Sequence, residues 1–134
     1  MGWIDVAGCG AVALAASLSM LHARRAAPLG ADEGYLWYGV QQALKGRWPH
    51  RDVKSYEPGR YLWSALSLRA FGAGLLPLRW ATHLFFAIAL CAALLALRWR
   101  GLDWPSIALA AFALSIIAHP QHKQFEHGWM LLAW

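Results

Sequence analysis

Two kinds of chemically capable group stand at opposite ends of one short stretch, residues 31–60. Asp32 and Glu33 open it as adjacent carboxylates; Arg51, Lys54, Tyr56 and Arg60 close it. Adjacent carboxylates at a membrane surface can act as a general base or hold a divalent cation such as Mg or Mn. Apolar surroundings raise a carboxyl pKa towards a value useful for a base. The same pair also suits a helix start, where Asp is a favoured N-cap and negative charge complements the dipole. The basic residues around Tyr56 could clamp a phosphate or diphosphate, since Arg contacts phosphate oxygens in pairs. Anchoring to lipid headgroups explains that cluster equally well.

The elements that must position these groups are apolar. Of 134 residues, 59% are hydrophobic, 14% are charged and nine are Trp, whereas a soluble domain carries about 25% charged residues. The expected class is therefore an all-α, multi-pass integral membrane protein. Nine of the twelve basic residues lie between the first and second apolar runs. In a chain this apolar, they point to anionic headgroups or a phosphate-bearing substrate as partner, not to nucleic acid. Cys9 and Cys91 sit in apolar runs and form neither a disulfide framework nor a metal motif.

A first transmembrane helix is expected at about residues 3–21, since a crossing needs roughly 20 apolar residues. A cleaved signal peptide fits less well, because Asp5 is the only early charge and Arg24 and Arg25 follow the apolar run. Pro28-Leu29-Gly30 breaks the chain. An aromatic-rich helix over 33–45, ended by Gly46, suits the headgroup level. Residues 47–57 read as a loop. Pro58 fits the first position of a second interfacial helix over 58–71, with Leu62, Trp63, Ala65 and Leu66 on one side. Further spanning helices are expected at about 80–97 and 104–118, with the start of a fourth at 128–134. The third run, about 22 Å long, is short for a crossing. His119, His122, Glu126 and His127 match no metal spacing, and an interfacial role is expected for the histidines. The rapid stop after 128 suggests a fragment.

Taken in order, Asp32-Glu33-Gly34-Tyr35, Gly46-x-x-Pro49-x-Arg51-Asp52, Tyr56-x-Pro58-Gly59-x-Tyr61 and Phe71-Gly72 resemble the first external loop of GT-C glycosyltransferases. The nearest types are the bacterial relatives of protein O-mannosyltransferases and the aminoarabinose transferases. The resemblance implies the N-terminal fragment of a larger GT-C-like fold, with about three transmembrane helices and two interfacial helices in an external loop at 22–77. It further implies an enzyme of the cell (inner) membrane, its first loop external or periplasmic, passing a sugar from a polyprenyl-phosphate donor to an unknown acceptor. Asp32, with Glu33 beside it, takes the catalytic position. Arg51, Lys54, Tyr56 and Arg60 map to donor phosphate. Lys123 and Glu126 are further candidates for the site, Lys123 for phosphate and Glu126, with Asp32, for a possible metal. Charge bias alone would put the basic loop in the cytoplasm, but its length and phosphate binding favour the external topology. The rival reading is a non-catalytic scaffold, or a lipid-binding or transport subunit, using the same basic aromatic loop.

Overall fold

A computed structural model of the chain describes residues 2–24, 31–54, 56–117 and 132. Lys123 and Glu126 lie outside the described residues, as do the histidines at 119, 122 and 127 and most of the expected fourth helix. Five helices follow one another: α1 (Trp3–Arg24), α2 (Ala31–Leu44), α3 (Pro58–Phe71), α4 (Leu75–Trp99) and α5 (Trp104–Ile117). Among the described residues there is no strand, only an isolated bridge between Pro49 and Val53. Two helical segments, Trp3–His22 and Leu75–Trp99, are long and apolar enough to cross a membrane. The second begins at Leu75, several residues before the expected start at about 80. Pro77 lies in the first turn of α4, where its missing N–H costs no helical bond. At 14 residues, α5 is about 21 Å long, short of a hydrocarbon core of about 30 Å.

The chain forms two compact units, Met1–Arg24 with His83–Trp134, and Arg25–Thr82. In the first, α1 buries Cys9, Ala13 and Met20, spaced by one or two turns, against Phe86, Leu90 and Leu94 of α4 and Ile107 and Ala111 of α5. Small residues let the helices approach closely, as helices in lipid must because lipid tails give them no hydrophobic drive to associate. Gly8 shows this directly: an added Cβ would lie 2.3 Å from the Trp104 indole. The outward faces stay apolar, with Leu14, Leu18, Leu84, Ile88, Leu109 and Phe112 exposed. A helix apolar on every side belongs to a buried or lipid environment.

Helices α1 and α4 run antiparallel, with Ser17 Oγ donating to the His83 carbonyl at 2.6 Å and Arg98 Nε donating to Asp5 Oδ1 at 2.8 Å. Arg98 also donates to the Leu102 carbonyl at 2.7 Å, and its guanidinium lies 5.4 Å from the Trp104 ring centroid. The start of α1, the end of α4 and the start of α5 are thereby tied together at one end.

The second unit holds the charged stretch. Its core is Val40 of α2, Tyr61, Ala65 and Leu68 of α3, and Leu78 of α4. Helix α2 closes at Gly46, whose φ of 79° suits only glycine well. The Gly46 amide bonds to Ala43 and the Arg47 amide to Gln42, at 3.0 and 3.1 Å, a Schellman arrangement that satisfies the last carbonyls. Helix α3 divides the residues expected on one side: Ala65 is buried, Trp63 half-buried, and Leu62 and Leu66 exposed. Tyr61, Ala65 and Leu68 are buried together with Arg60 and Ser64, while Leu62 and Leu66 face outward. The register follows Tyr61, whose ring occupies the space that a side chain at Gly39 would fill. Three contacts set α3 against the first turns of α4. Trp63 Nε1 donates to the Ala81 carbonyl at 2.7 Å, Ser67 Oγ to the Pro77 carbonyl at 2.9 Å, and the Phe71 and Trp80 rings lie 6.0 Å apart.

Candidate active site

Asp32 and Glu33 are neighbours in sequence with different surroundings. Helix α2 begins at Ala31, so both carboxylates lie inside its first turn and Asp32 is not the residue preceding it. Asp32 is exposed. Glu33 is drawn in by Arg79 of α4, which binds it through two contacts, Nε to Oε1 at 2.6 Å and a terminal nitrogen to Oε2 at 2.9 Å. The Arg79 side chain is only 5% exposed and that of Glu33 17%. Bidentate Arg–carboxylate geometry is the strong form of this interaction. It fixes the first turn of α2 onto the start of α4, which makes Glu33 an anchoring group and leaves Asp32 as the exposed carboxylate.

The segment between α2 and α3 has more order than its lack of periodicity implies. His50, at φ 67°, turns the chain in the left-handed region. The Asp52 amide donates to the Trp48 carbonyl at 2.9 Å, and the His50 amide to the Val53 carbonyl at 3.0 Å. The Asp52 carboxylate accepts from the Trp48 amide at 2.7 Å and from two Arg51 nitrogens, each at 2.9 Å. Arg51 is therefore exposed but ion-paired with its own neighbour.

The Arg51 guanidinium first, and then the Trp48 amide, hold the Asp52 carboxyl at about 2, below its ordinary 3.8. A carboxyl with a lowered folded pKa contributes stability above its unfolded value and loses that contribution as pH falls through the folded one. The 48–53 turn should thus hold at neutral pH and loosen as acid brings pH from about 3.8 to about 2. The carboxyl carbon shift of Asp52, followed by NMR, should titrate near the lower value and move up in Arg51→Ala; a midpoint near the ordinary value in the unsubstituted chain would contradict the pairing.

An aromatic cluster carries the rest of the stretch. Tyr35 donates its hydroxyl to the Lys54 carbonyl at 2.6 Å. Its ring meets Tyr56 edge-on, with centroids 5.4 Å apart. The Tyr56 amide donates to the Tyr61 hydroxyl at 3.0 Å, and burial pushes that phenol's pKa up. Arg60 is buried, bonded to Glu57, with its guanidinium 5.0 Å from the Tyr56 ring centroid. Burial opposes ionisation of Glu57, yet its own amide and Arg60 hold its carboxyl below the usual range.

Of the residues expected to bind phosphate, the structure thus joins Tyr56, Arg60 and the backbone of Lys54 into one cluster, through Tyr35. Arg51 and Arg60 already have carboxylate partners. The Lys54 side chain is exposed, as are Lys45 and Arg47, and none of the three has an ion pair among the described residues. Also among the described residues, no three His, Cys, Asp or Glu side chains gather as a metal site. A bound cation would have Asp32 alone to draw on from the described part of the expected pair, because Glu126 lies outside it. In the sequence Arg79 is one of the nine basic residues between the first two apolar runs. An arginine beside a spanning segment needs a carboxylate or carbonyl partner, and that demand was the available signal for Glu33.

Comparison of the chain with protein-family models, with curated proteins and with solved structures found no match.

Proposed function

We propose that the chain forms the acidic corner of a membrane sugar transferase, working at the outer face on a polyprenyl-phosphate-linked sugar. The observation that carries the proposal is the division of labour between the two carboxylates. Arg79 holds Glu33 and fixes the turn, and Asp32 stands beside it, exposed, on a braced helix start. In the reaction, the acceptor oxygen forms a bond to the anomeric carbon while the bond to the lipid phosphate breaks. Asp32 accepts the acceptor's proton as the new bond forms. The departing phosphate carries the electron pair and meets positive charge supplied by Lys54, with Lys45 and Arg47 along the same segment. Tyr35 and Tyr56 offer a rigid aromatic surface next to Lys54. The ordered pattern from Asp32 to Gly72, which resembles the first loop of GT-C glycosyltransferases, supports the same assignment.

The test is Asp32→Asn in the full protein, in membranes supplied with a labelled polyprenyl-phosphate sugar. Transfer to acceptor should fall to background while membrane insertion is unchanged; normal turnover would refute the assignment. A second reading, lipid binding without catalysis, is favoured by one specific observation: Asp52 and Glu57 already neutralise Arg51 and Arg60. That reading expects Asp32→Asn to be silent, and Lys54→Gln to weaken binding to anionic vesicles.

A further inference from the structure

Asp32 and Glu33 leave α2 in different directions, and Tyr35 follows Asp32. At about 3.6 residues per turn, Tyr35 stands about 60° around the helix from Asp32 and about 160° from Glu33. Glu33 turns in to Arg79. Tyr35 shares the other flank with the exposed Asp32. A helical side chain lies over the turn before its own Cα, so the Tyr35 ring reaches back towards the turn that carries Asp32. Its hydroxyl donates to the Lys54 carbonyl at 2.6 Å. The ring therefore bridges from the carboxylate's turn to the backbone of an exposed lysine.

Tyr56 adds a second ring at that place. The two rings lie 5.4 Å apart at 74°, and both keep open surface, Tyr35 at 39% and Tyr56 at 54% exposed. Neither is loose. Tyr35 is held at its hydroxyl, Tyr56 is held at its amide by the Tyr61 hydroxyl, and the Arg60 guanidinium lies 5.0 Å from the Tyr56 centroid. An aromatic surface fixed in advance spares a ligand the cost of ordering it. Rings flanked by a carboxylate and an ammonium suit an acyl chain poorly, since it has no polar group to offer either. A sugar donor suits all three: C–H groups on the ring face, hydroxyls at the rim, and a phosphate at the anomeric carbon.

We propose that Tyr35 and Tyr56 form the sugar-ring subsite, their rings packing on the C–H face of the transferred sugar between Asp32 and Lys54. The subsite presupposes sugar transfer as the reaction. It gives Tyr56 a task other than phosphate binding: the ring is required and the hydroxyl is dispensable. Tyr35 has two tasks, since its hydroxyl also holds the Lys54 backbone in place.

Binding without turnover separates the subsite from the reaction. The full protein, with no acceptor present, would be titrated in detergent micelles with farnesyl phosphate and with the same lipid phosphate bearing mannose or aminoarabinose. At least one sugar-bearing probe should bind more tightly than bare farnesyl phosphate. Tyr56→Ala should weaken that probe about 2- to 10-fold, the worth of one aromatic contact. Bare farnesyl phosphate should bind Tyr56→Ala unchanged, which also shows that the variant is folded. Tyr56→Phe should bind every probe as the unsubstituted protein does. Equal weakening of all probes by Tyr56→Ala would put the ring on the lipid chain, and weakening by Tyr56→Phe would give the hydroxyl to the phosphate. Either result, or a protein with no preference for the sugar-bearing probes, overturns the subsite and leaves the transferase reading standing. Failure of every probe to bind the unsubstituted protein would sink the transferase reading, and the subsite with it.

Discussion

Glu33→Ala should cost the helical unit about 3–5 kcal/mol, the usual penalty for removing one partner of a buried ion pair. Asp32→Asn, at an exposed position, should cost far less stability and remove transfer. The contrast follows from surroundings, since the two side chains are adjacent. Arg79 is 5% exposed and spends two of its nitrogens on Glu33. Without the carboxylate a guanidinium is left at the start of an apolar helix, where desolvation is expensive. Removing both groups should hurt less than the two single losses summed, because Glu33→Ala with Arg79→Met leaves no buried guanidinium deprived of its bidentate carboxylate. Unfolding of the purified chain in mixed micelles, over the four corners of that cycle, measures the coupling. An additive cycle, or a Glu33→Ala transition equal to that of the unsubstituted chain, would show that the pair does not brace α2.

Gly39→Ala should also destabilise, against the trend for glycine in helices. Alanine is better than glycine inside a helix by about 0.8–1.0 kcal/mol, so a glycine with open space around it becomes more stable on substitution. At Gly39 the added Cβ would sit 2.2 Å from Cε1 and 2.5 Å from Cδ1 of Tyr61. That ring cannot retreat: it is fully buried, and its hydroxyl accepts the Tyr56 amide at 3.0 Å. Overpacking of this kind costs about 1–3 kcal/mol, which outweighs the propensity gain. The net loss should be up to about 2 kcal/mol, from the difference between those two effects. In a Tyr61→Leu background the obstruction disappears and the sign should reverse. If Gly39→Ala stabilises the chain with Tyr61 in place, α2 and α3 do not meet as described. At Gly8 the obstructing atoms belong to Trp104, a residue only half-buried where Tyr61 is fully enclosed, so the same change should be milder there.

Local order was legible where one residue type imposes it. Pro58 opens α3 and Gly46 closes α2, because proline fits only a first turn and glycine tolerates the positive φ that a closing turn requires. The apolar runs indicated helices whose outer faces avoid water, and the described residues form helices with two segments long enough to cross a membrane. The segment before α3 was less legible. Its turn depends on Asp52, which receives Trp48 and Arg51 together, and bonds of that kind leave no periodic trace. In α3 apolar side chains occur on both sides, and period alone does not separate Ala65, which is buried, from Leu62 and Leu66, which are exposed.

The sequence by itself determined the helical, membrane-suited character of the chain, the position of its charged stretch, and the residue types offered for chemistry there. Those properties follow from composition and from the backbone limits of single residues. Only the tertiary structure decided which of these charges pair with one another. Glu33 and Arg79 stand 46 positions apart in the chain and pair because α2 packs beside the start of α4. Arg51 and Arg60 are matched by Asp52 and Glu57 through the folding of one turn and one helix start. A carboxylate or guanidinium has the same formula whether paired or exposed, and its chemistry depends on what the fold brings within about 3 Å, the span of a charged hydrogen bond.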